Sequence, residues 1–364
     1  MSRIYGLVLS VEKGRAGRGF IIVPSVVNTW VEERPSGLAI EAEAEREGVS
    51  VAVRVEAGAP YQPAWIAVVG LEGRDWSGSA YVCVLPKFER VGVVRRARGD
   101  DKSYAVGAAS AEKVGGGYYL GYRWRNGDRL RGKLLEISRS GNGVDGWEVV
   151  AEFDKHDYGY LSFEKPCFVK GAEYFMYCAD VGGTWRIFLV EAGRPEDLEL
   201  PGRPVVDGGK DPAAIWDGDR CVLAYSDLRN RGHDLTVVET GDFEEVRVLA
   251  ASIFYSQLIP QGNAWARTHM HAGAILKAGG YYLLLYDALP REPQSFGSGW
   301  LGVAVSRNLR EWVDLTLEEP LMRGGGVDQT FRYVDAVVEG DCYLLYAEEE
   351  AETGRKDLVV YHGR

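Results

Sequence analysis

KDPAAIWDGDRCVLAYSD, residues 210 to 227, runs from a Lys-Asp-Pro corner through a short apolar stretch, an Asp-Gly-Asp turn and a second apolar stretch to Tyr-Ser-Asp. Two runs of strand-forming residues about a tight Gly-containing turn predict a β-hairpin, with charge at both open ends and almost none between. The pattern recurs as AVGAASAEKVGGGYYLGYRW (105 to 124), SFEKPCFVKGAEYFMYCAD (162 to 180), MHAGAILKAGGYYLLLYDA (270 to 288) and FRYVDAVVEGDCYLLYAEE (331 to 349). Each second strand ends in a tyrosine, at Tyr122, Tyr177, Tyr225, Tyr286 and Tyr346, roughly 50 to 60 residues apart, the length of a four-stranded propeller blade. Two repeats also share a tail, SRSGNGVDGWEVV (138 to 150) and SRNLREWVDL (306 to 315), from a Ser ending a third strand to a Trp opening a fourth. Helical periodicity is almost absent. The expectation is an all-β chain, with a five-bladed β-propeller over residues 89-364.

The last repeat stops after its third strand, KDLVVYHGR (356 to 364). An earlier strand, ERVGVVRR (89 to 96), is therefore expected to complete it and remove an open edge. Residues 1-88 do not fit the repeat. Six or seven short alternating runs there predict a small N-terminal β-sandwich-like accessory domain.

Composition bounds the partners. At 364 residues, 46% of them hydrophobic, the chain can bury a sizeable core. A net charge of -11 without a basic stretch excludes a nucleic-acid footprint, and no run approaches the roughly 20 apolar residues of a membrane span. Cys83, Cys167, Cys178, Cys221 and Cys342 are scattered inside apolar runs, which predicts buried free thiols and, with the absence of a leader-like start, a cytoplasmic protein. Arginine outnumbers lysine while Asn, Gln and Met are few, a bias met in thermophilic proteins. Oligomeric state is not legible.

In a hairpin the start of the first strand and the end of the second share one edge. Five hairpins in a ring therefore bring their charged ends to one mouth: Arg123 from the first; Glu164, Lys165 and Asp180 from the second; Lys210, Asp211, Asp227 and Arg229 from the third; His269, His271 and Asp287 from the fourth; Arg332, Asp335 and Glu348 from the fifth. Carboxylates, histidines and arginines around a pit, with Trp124, Trp185 and Trp265 available to stack on sugar faces, predict a carbohydrate substrate. Glycoside cleavage needs one protonated and one ionised carboxyl, and Glu164 and Asp211, at equivalent corners of adjacent repeats, are the candidate catalytic pair. Their bland alternatives are a strand-start Asp bonding nearby backbone and a Glu paired with Lys165. Candidate substrate-binding residues are Arg123, Lys210, Asp227, Arg267, His269, His271, Arg332 and Asp335; the last two, spaced three apart, point to opposite faces of an extended strand, so one of them is expected to reach the channel, and Arg332 at the strand's start is the choice. In RTHMHAG (267 to 273), Arg267, His269 and His271 share one face if the stretch is extended. No cofactor is required; two histidines are a weak signal for a divalent cation at the channel centre. The tyrosines are expected in the blade cores.

These hairpins resemble those of the five-bladed glycosidase propellers: the arabinanase and xylosidase group of glycoside hydrolase family 43, the invertase group of family 32 and the mannoside phosphorylases of family 130. FEKP (163 to 166) resembles the Glu-Asp-Pro-Arg corner of the phosphorylases and KDPAA (210 to 214) the Lys-Asp corner of their next blade. Lys165 stands where the resemblance places an acid Asp, and Cys167 where it places a phosphate-binding Arg. KDP also resembles the invertase Arg-Asp-Pro motif, with Glu164 as the acid, although here Glu164 comes first. VGAAS (106 to 110) occupies the place of a catalytic Asp in the first blade, leaving Asp101 just upstream as a substitute. The resemblance implies a glycoside hydrolase. Phosphorolysis and non-catalytic sugar binding are the alternatives.

Overall fold

The computed structural model describes residues 4–13, 20–23, 28–34, 37–46, 49–57, 65–73, 76–85, 88–127, 131–229, 233–291, 298–317, 319–339 and 342–363. The N-terminal strands are β1 (Ile4–Lys13), β2 (Phe20–Val23), β3 (Asn28–Arg34), β4 (Gly37–Arg46), β5 (Val49–Ala57), β6 (Trp65–Gly73) and β7 (Trp76–Leu85). They pair antiparallel in two sheets, ordered β2-β1-β7-β6 and β3-β4-β5. Six of the seven coincide with alternating runs in the sequence. The seventh, β3, has the pattern NTWVEER, whose charged end hides it.

From residue 88 on, the chain is a series of antiparallel meanders. Strand β8 (Phe88–Arg95) comes first, followed by unit one, β9 (Tyr104–Val114), β10 (Gly117–Asn126), β11 (Gly132–Ser140) and β12 (Glu148–Asp154). Unit two is β13 (Ser162–Phe168), β14 (Tyr174–Val181), β15 (Thr184–Glu191) and β16 (Arg203–Asp207). Unit three is β17 (Gly209–Asp217), β18 (Arg220–Asp227), β19 (Asp234–Thr240) and β20 (Arg247–Ala250). Unit four is β21 (Ala266–Ala278), β22 (Tyr281–Pro290), β23 (Trp300–Ser306) and β24 (Val313–Asp314), and unit five is β25 (Phe331–Glu339), β26 (Cys342–Glu350) and β27 (Lys356–Gly363). Strand β8 pairs antiparallel with β27, with Gly92 opposite Val360 and Phe88 opposite Gly363, so unit five gains its fourth strand from upstream of unit one.

The first strands of the units touch in a closed cycle: β9 meets β13, β13 meets β17, β17 meets β21, β21 meets β25, and β25 returns to β9. The core follows the same cycle, with an apolar cluster between each pair of consecutive units. Tyr119 and Ile137 of unit one pack with Phe163, Tyr177 and Phe188 of unit two, and Met176 and Ile187 of unit two with Leu223 and Val238 of unit three. Val222 and Val237 then meet Ile275, Leu284 and Trp312 of unit four. Leu283 and Val303 meet Val334, Leu345 and Val359 of unit five, which closes on Val106 and Leu120 through Leu344 and Val360. Each large apolar side chain so buried is worth about 1.5–3 kcal/mol. No unit could bury its two faces alone. The arrangement is that of a β-propeller.

The five terminal tyrosines are all buried, and their hydroxyls tie second strands to outer elements: Tyr122 to Ser138 at 2.7 Å, Tyr286 to Asp314 at 2.9 Å, and Tyr346 to the Gly143 carbonyl at 2.8 Å. The shared Ser-to-Trp tails are one turn built twice. Ser140 Oγ accepts from the Gly143 amide and Asn142 Oδ1 from the Val144 and Asp145 amides; Ser306 and Asn308 do the same for Leu309, Arg310 and Glu311. Side chains that satisfy loop amides in this way end a strand cleanly. Cys167, Cys178 and Cys221 are buried free thiols and Cys342 is half-buried and free. No helix among the described residues is long and apolar enough to cross a membrane.

Candidate functional site

Every first strand carries a bulge in its first half, within two residues of the level of its unit's terminal tyrosine, two residues facing one on the second strand. The pairs are Ala108–Ala109 opposite Tyr122, Glu164–Lys165 opposite Cys178, Asp211–Pro212 opposite Tyr225, His269–Met270 opposite Ala288, and Tyr333–Val334 opposite Ala347. A bulge bends the strand and re-aims the side chain at its crest. At three of the crests the backbone is left-handed, with φ of 54° at Ala108, 54° at Asp211 and 50° at Tyr333. For a tyrosine or alanine this strain costs about 1 kcal/mol or more, the kind of local cost met at functional sites. The crest residues from units one to five are thus Ala108, Glu164, Asp211, His269 and Tyr333.

Around the crests lies a buried network of charge. Arg123 Nε donates to Glu164 Oε2 at 2.9 Å, while Arg125 bonds the other Glu164 oxygen. Arg123 Nη2 reaches Glu348 Oε2 at 2.9 Å, and Arg332 grips Glu348 Oε1 with Nε at 2.8 Å and Nη2 at 2.7 Å. Burial would raise the Glu164 carboxyl, but Arg125, Arg123 and Lys210 outweigh it and hold it well below the usual carboxylate range. Glu348 is likewise held at about 2, against its burial, chiefly by Arg123 and Arg332. Both carboxylates are ionised at neutral pH.

Beside this network, Lys210 Nζ lies 3.2 Å from Asp211 Oδ2 and 5.3 Å from the Trp185 ring centroid. Asp211 is fully buried, and its oxygens accept no hydrogen bond from the described residues. The other neighbour of Asp211 is His271, whose Nε2 stands 3.8 Å from Oδ2. His271 Nδ1 donates to Asp287 Oδ1 at 2.7 Å, and Asp287 Oδ2 accepts the Tyr333 amide at 2.8 Å. One carboxylate therefore fixes both the imidazole and the crest of unit five. The Tyr333 ring packs against His271, tilted by 32° with centroids 4.7 Å apart, and carries the guanidinium of Arg332 at 4.9 Å from its centroid.

Glycines make room for this charge. A Cβ at Gly107 would lie 2.6 Å from Glu348 Cβ, and one at Gly299 would lie 2.9 Å from Asp287 Oδ1. Gly107→Ala is expected to destabilise the fold by about 1–3 kcal/mol, the usual cost of overpacking; an unchanged chemical-denaturation midpoint would contradict that. The depressed carboxyls set the acid limb. A group whose folded pKa lies below its unfolded one stabilises the fold above the unfolded value and loses that stabilisation as pH falls through the folded value. The melting temperature is therefore expected to fall between about pH 4.5 and pH 2 as Glu348 protonates, a drop that thermal melts across that range would record; Glu164, held down in the same direction, adds to the loss toward the acid end.

Several expectations need correction. Glu164 is neutralised by Arg123 and Arg125, whereas Lys165 Nζ donates to the Pro212 carbonyl at 2.7 Å and ties unit two to unit three. Arg267 and His271 do not share a face: register shifts on both sides of Thr268 break the alternation, leaving Arg267 exposed and His271 buried. The His269 side chain lies outside the described residues. Of Arg332 and Asp335, Arg332 is the one at the crests, as expected, whereas Asp335 accepts from Ser110 Oγ at 3.0 Å, the Ala111 amide at 2.8 Å and Lys170 Nζ at 3.0 Å. Asp227 is gripped by Arg229, Asp180 by Arg131. Asp101 sits in an exposed loop bonded to Ser103 and does not replace the carboxylate that Ala108 lacks. Trp124 and Trp265 are buried, the latter stacked on Tyr286, so only Trp185 of the three stands half-exposed by the cluster. Among the described residues no three His, Cys, Asp or Glu side chains group as metal ligands. A cavity of about 380 Å³ opens at the opposite, turn end of the first strands, between Glu112, Lys113, Lys170, Lys277 and Glu339, away from the crests.

The sequence reading passed over Arg125, Tyr333 and Lys356. Arg125 follows Arg123 by two on one strand, which already places both on one face. Tyr333 shows no such signal, because only the bulge turns it inward.

No protein-family model matches the chain, and no curated protein matches it. Solved structures do. A glycoside hydrolase family 43 enzyme from Xanthomonas citri, complexed with xylotriose, aligns at TM-score 0.53 and 12% identity over 74% of this chain and 89% of its own. A structure from work on family 130, whose mannoside phosphorylases are described as containing glycoside hydrolases that target β-1,2 mannosidic linkages in Candida mannan, aligns at TM-score 0.56 and 13% identity over 76% and 93%. An α-L-arabinofuranosidase from Podospora anserina in complex with cellotriose aligns at 0.52 and 12% over 77% and 97%. The chain shares its fold with these solved glycoside hydrolases.

Proposed function

We propose that residues 89–364 form a five-bladed propeller that β8 closes, that residues 1–88 form a sandwich-like accessory domain, and that the propeller cleaves a glycosidic bond at its bulged end. The observation that carries the chemistry is the run Asp211, His271, Asp287, in which a fixed imidazole faces a buried carboxyl across units three and four. With Nδ1 tied to Asp287, Nε2 is the ring nitrogen of His271 that is turned toward Asp211. The proton shared between Asp211 and Nε2 of His271 is the one that Asp211 gives to the leaving oxygen, and the water that attacks the anomeric carbon supplies the proton that replaces it. Glu164, kept ionised by its arginines, is the carboxylate that activates water or meets the developing positive charge at the anomeric carbon. Lys210 and Trp185 flank the sugar. No cofactor enters the scheme. The family 43 and 130 likenesses, with sugars named for several of them, support a carbohydrate substrate.

A second reading has its own observation. Both Glu164 oxygens are held by arginine, and the crest of unit one is Ala108, which favours a propeller that binds sugar without cleaving it. A panel of aryl pyranosides and furanosides, assayed with and without phosphate, separates the two. Turnover that rises with phosphate marks phosphorolysis, turnover without it hydrolysis, and sugar binding with no turnover on any member establishes the binding protein.

A further inference from the structure

We propose that the bulged end of the ring takes an acidic sugar, whose carboxylate is held by Arg125, Arg332 and Lys356 with Arg123 behind them; the location rests on the reading of this end as a sugar site. The register assembles the group. Lys356 faces Ala105 in the parallel contact between units five and one, and Ala105 faces Arg125 on its other side. Arg125 and Lys356 therefore stand in one row, two strand spacings or roughly 10 Å apart at the backbone, on either side of a methyl group. Arg332 approaches from β25 through Glu348, which Arg123 also holds.

All four cations are at least nine-tenths buried, and two carboxylates, Glu164 and Glu348, are shared among them. A third carboxylate, Glu350, accepts the Asp328 amide at 2.9 Å and the Thr330 amide at 3.2 Å, so four cations face three carboxylates. Donors remain over: Arg123 Nη1 and Arg125 Nε bond nothing among the described residues, and Lys356 Nζ finds only the Gly354 carbonyl at 3.5 Å. The crowding shows in Lys356, whose ammonium is pushed down to about 8 by burial and by Arg332, with Arg125 adding to them and Glu348 and Glu350 opposing. Buried positive charge in excess of its carboxylates is stabilised by an oxyanion, and guanidinium groups match a planar carboxylate in shape as well as charge. A neutral sugar would leave that excess as it is.

Calorimetric titration of the whole chain with glucuronate, galacturonate, glucose, galactose and inorganic phosphate tests this. The expected result is that a uronate binds at least tenfold more tightly than its neutral counterpart. The preference should disappear in Lys356→Met and survive in Lys356→Arg, with thermal melts showing both variants folded. If Lys356→Met fails to fold, competition by phosphate against bound uronate in the wild type reads the same site. Equal affinity for acidic and neutral sugars overturns the proposal, as does phosphate binding that needs Lys356 while uronates neither bind nor compete. Turnover is not needed for any of these readouts. Uronate binding without cleavage leaves the acidic-sugar site standing and removes the enzyme, whereas cleavage of neutral glycosides with no uronate preference does the reverse.

Discussion

Asp211→Asn is expected to lower kcat on any glycoside that the wild type cleaves by at least about a thousandfold, equivalent to roughly 4 kcal/mol of transition-state stabilisation. The amide keeps the shape of the crest but has no acidic proton to give the leaving oxygen, and His271 cannot supply one through it. Lys210 retains Glu164 as an electrostatic partner, so the variant is expected to fold. A carboxylate present only to cap the strand would give a different result: about 1 kcal/mol of stability lost and the rate unchanged. KM should move little, because the missing interaction is one made in the transition state. His271→Gln is the companion, with a smaller loss and an altered pH profile, since the relay from Asp287 is cut while the acid remains. Equal rates in the wild type and Asp211→Asn would remove Asp211 from the chemistry.

How the sequence announces this site depends on which physical signal each residue rests on. The hairpins are legible because strand alternation and Gly-containing turns are local properties, and the recurring tyrosine fixes their phase. The fourth strand of unit five is legible for a topological reason: KDLVVYHGR ends with an open edge, and ERVGVVRR is a strand that the repeat does not account for. The convergence of Glu164, Asp211, His271 and Arg332 follows from hairpin geometry alone. What alternation cannot supply is the bulge. One extra residue in each first strand reverses the faces of all that precede it, which is why Tyr333 enters the cluster and Arg267 parts from His271. Charge pairing is equally non-local. Glu164 has Lys165 beside it in sequence, yet its partners are Arg123 and Arg125, some 40 residues away on the preceding unit.

Glu348→Gln is expected to be among the most destabilising single changes in the ring, costing about 3–5 kcal/mol, because it leaves Arg123 and Arg332 buried with their shared counter-charge removed. In a domain of this size that corresponds to a fall in melting temperature of the order of 10 °C. The effect is strongly pH-dependent in a direction fixed by the depressed carboxyl. Above about pH 4.5 the wild type has the full advantage of the ionised Glu348, whereas near pH 2 it approaches the protonated state that the glutamine imitates, and the two melting curves should draw together. The glutamine can still accept from one guanidinium through its carbonyl oxygen, so the hydrogen-bond geometry is partly kept and the loss reports mainly charge. Glu349 provides the contrast on the next residue of the same strand: its carboxyl is pushed up by burial, Arg90 that pairs with it is half-exposed, and its loss should cost less. A Glu348→Gln protein that melts within a degree of the wild type at pH 7 would mean that the arginines redistribute among the remaining carboxylates without cost. The buried network would then be loose enough to give up its guanidinium groups to a ligand.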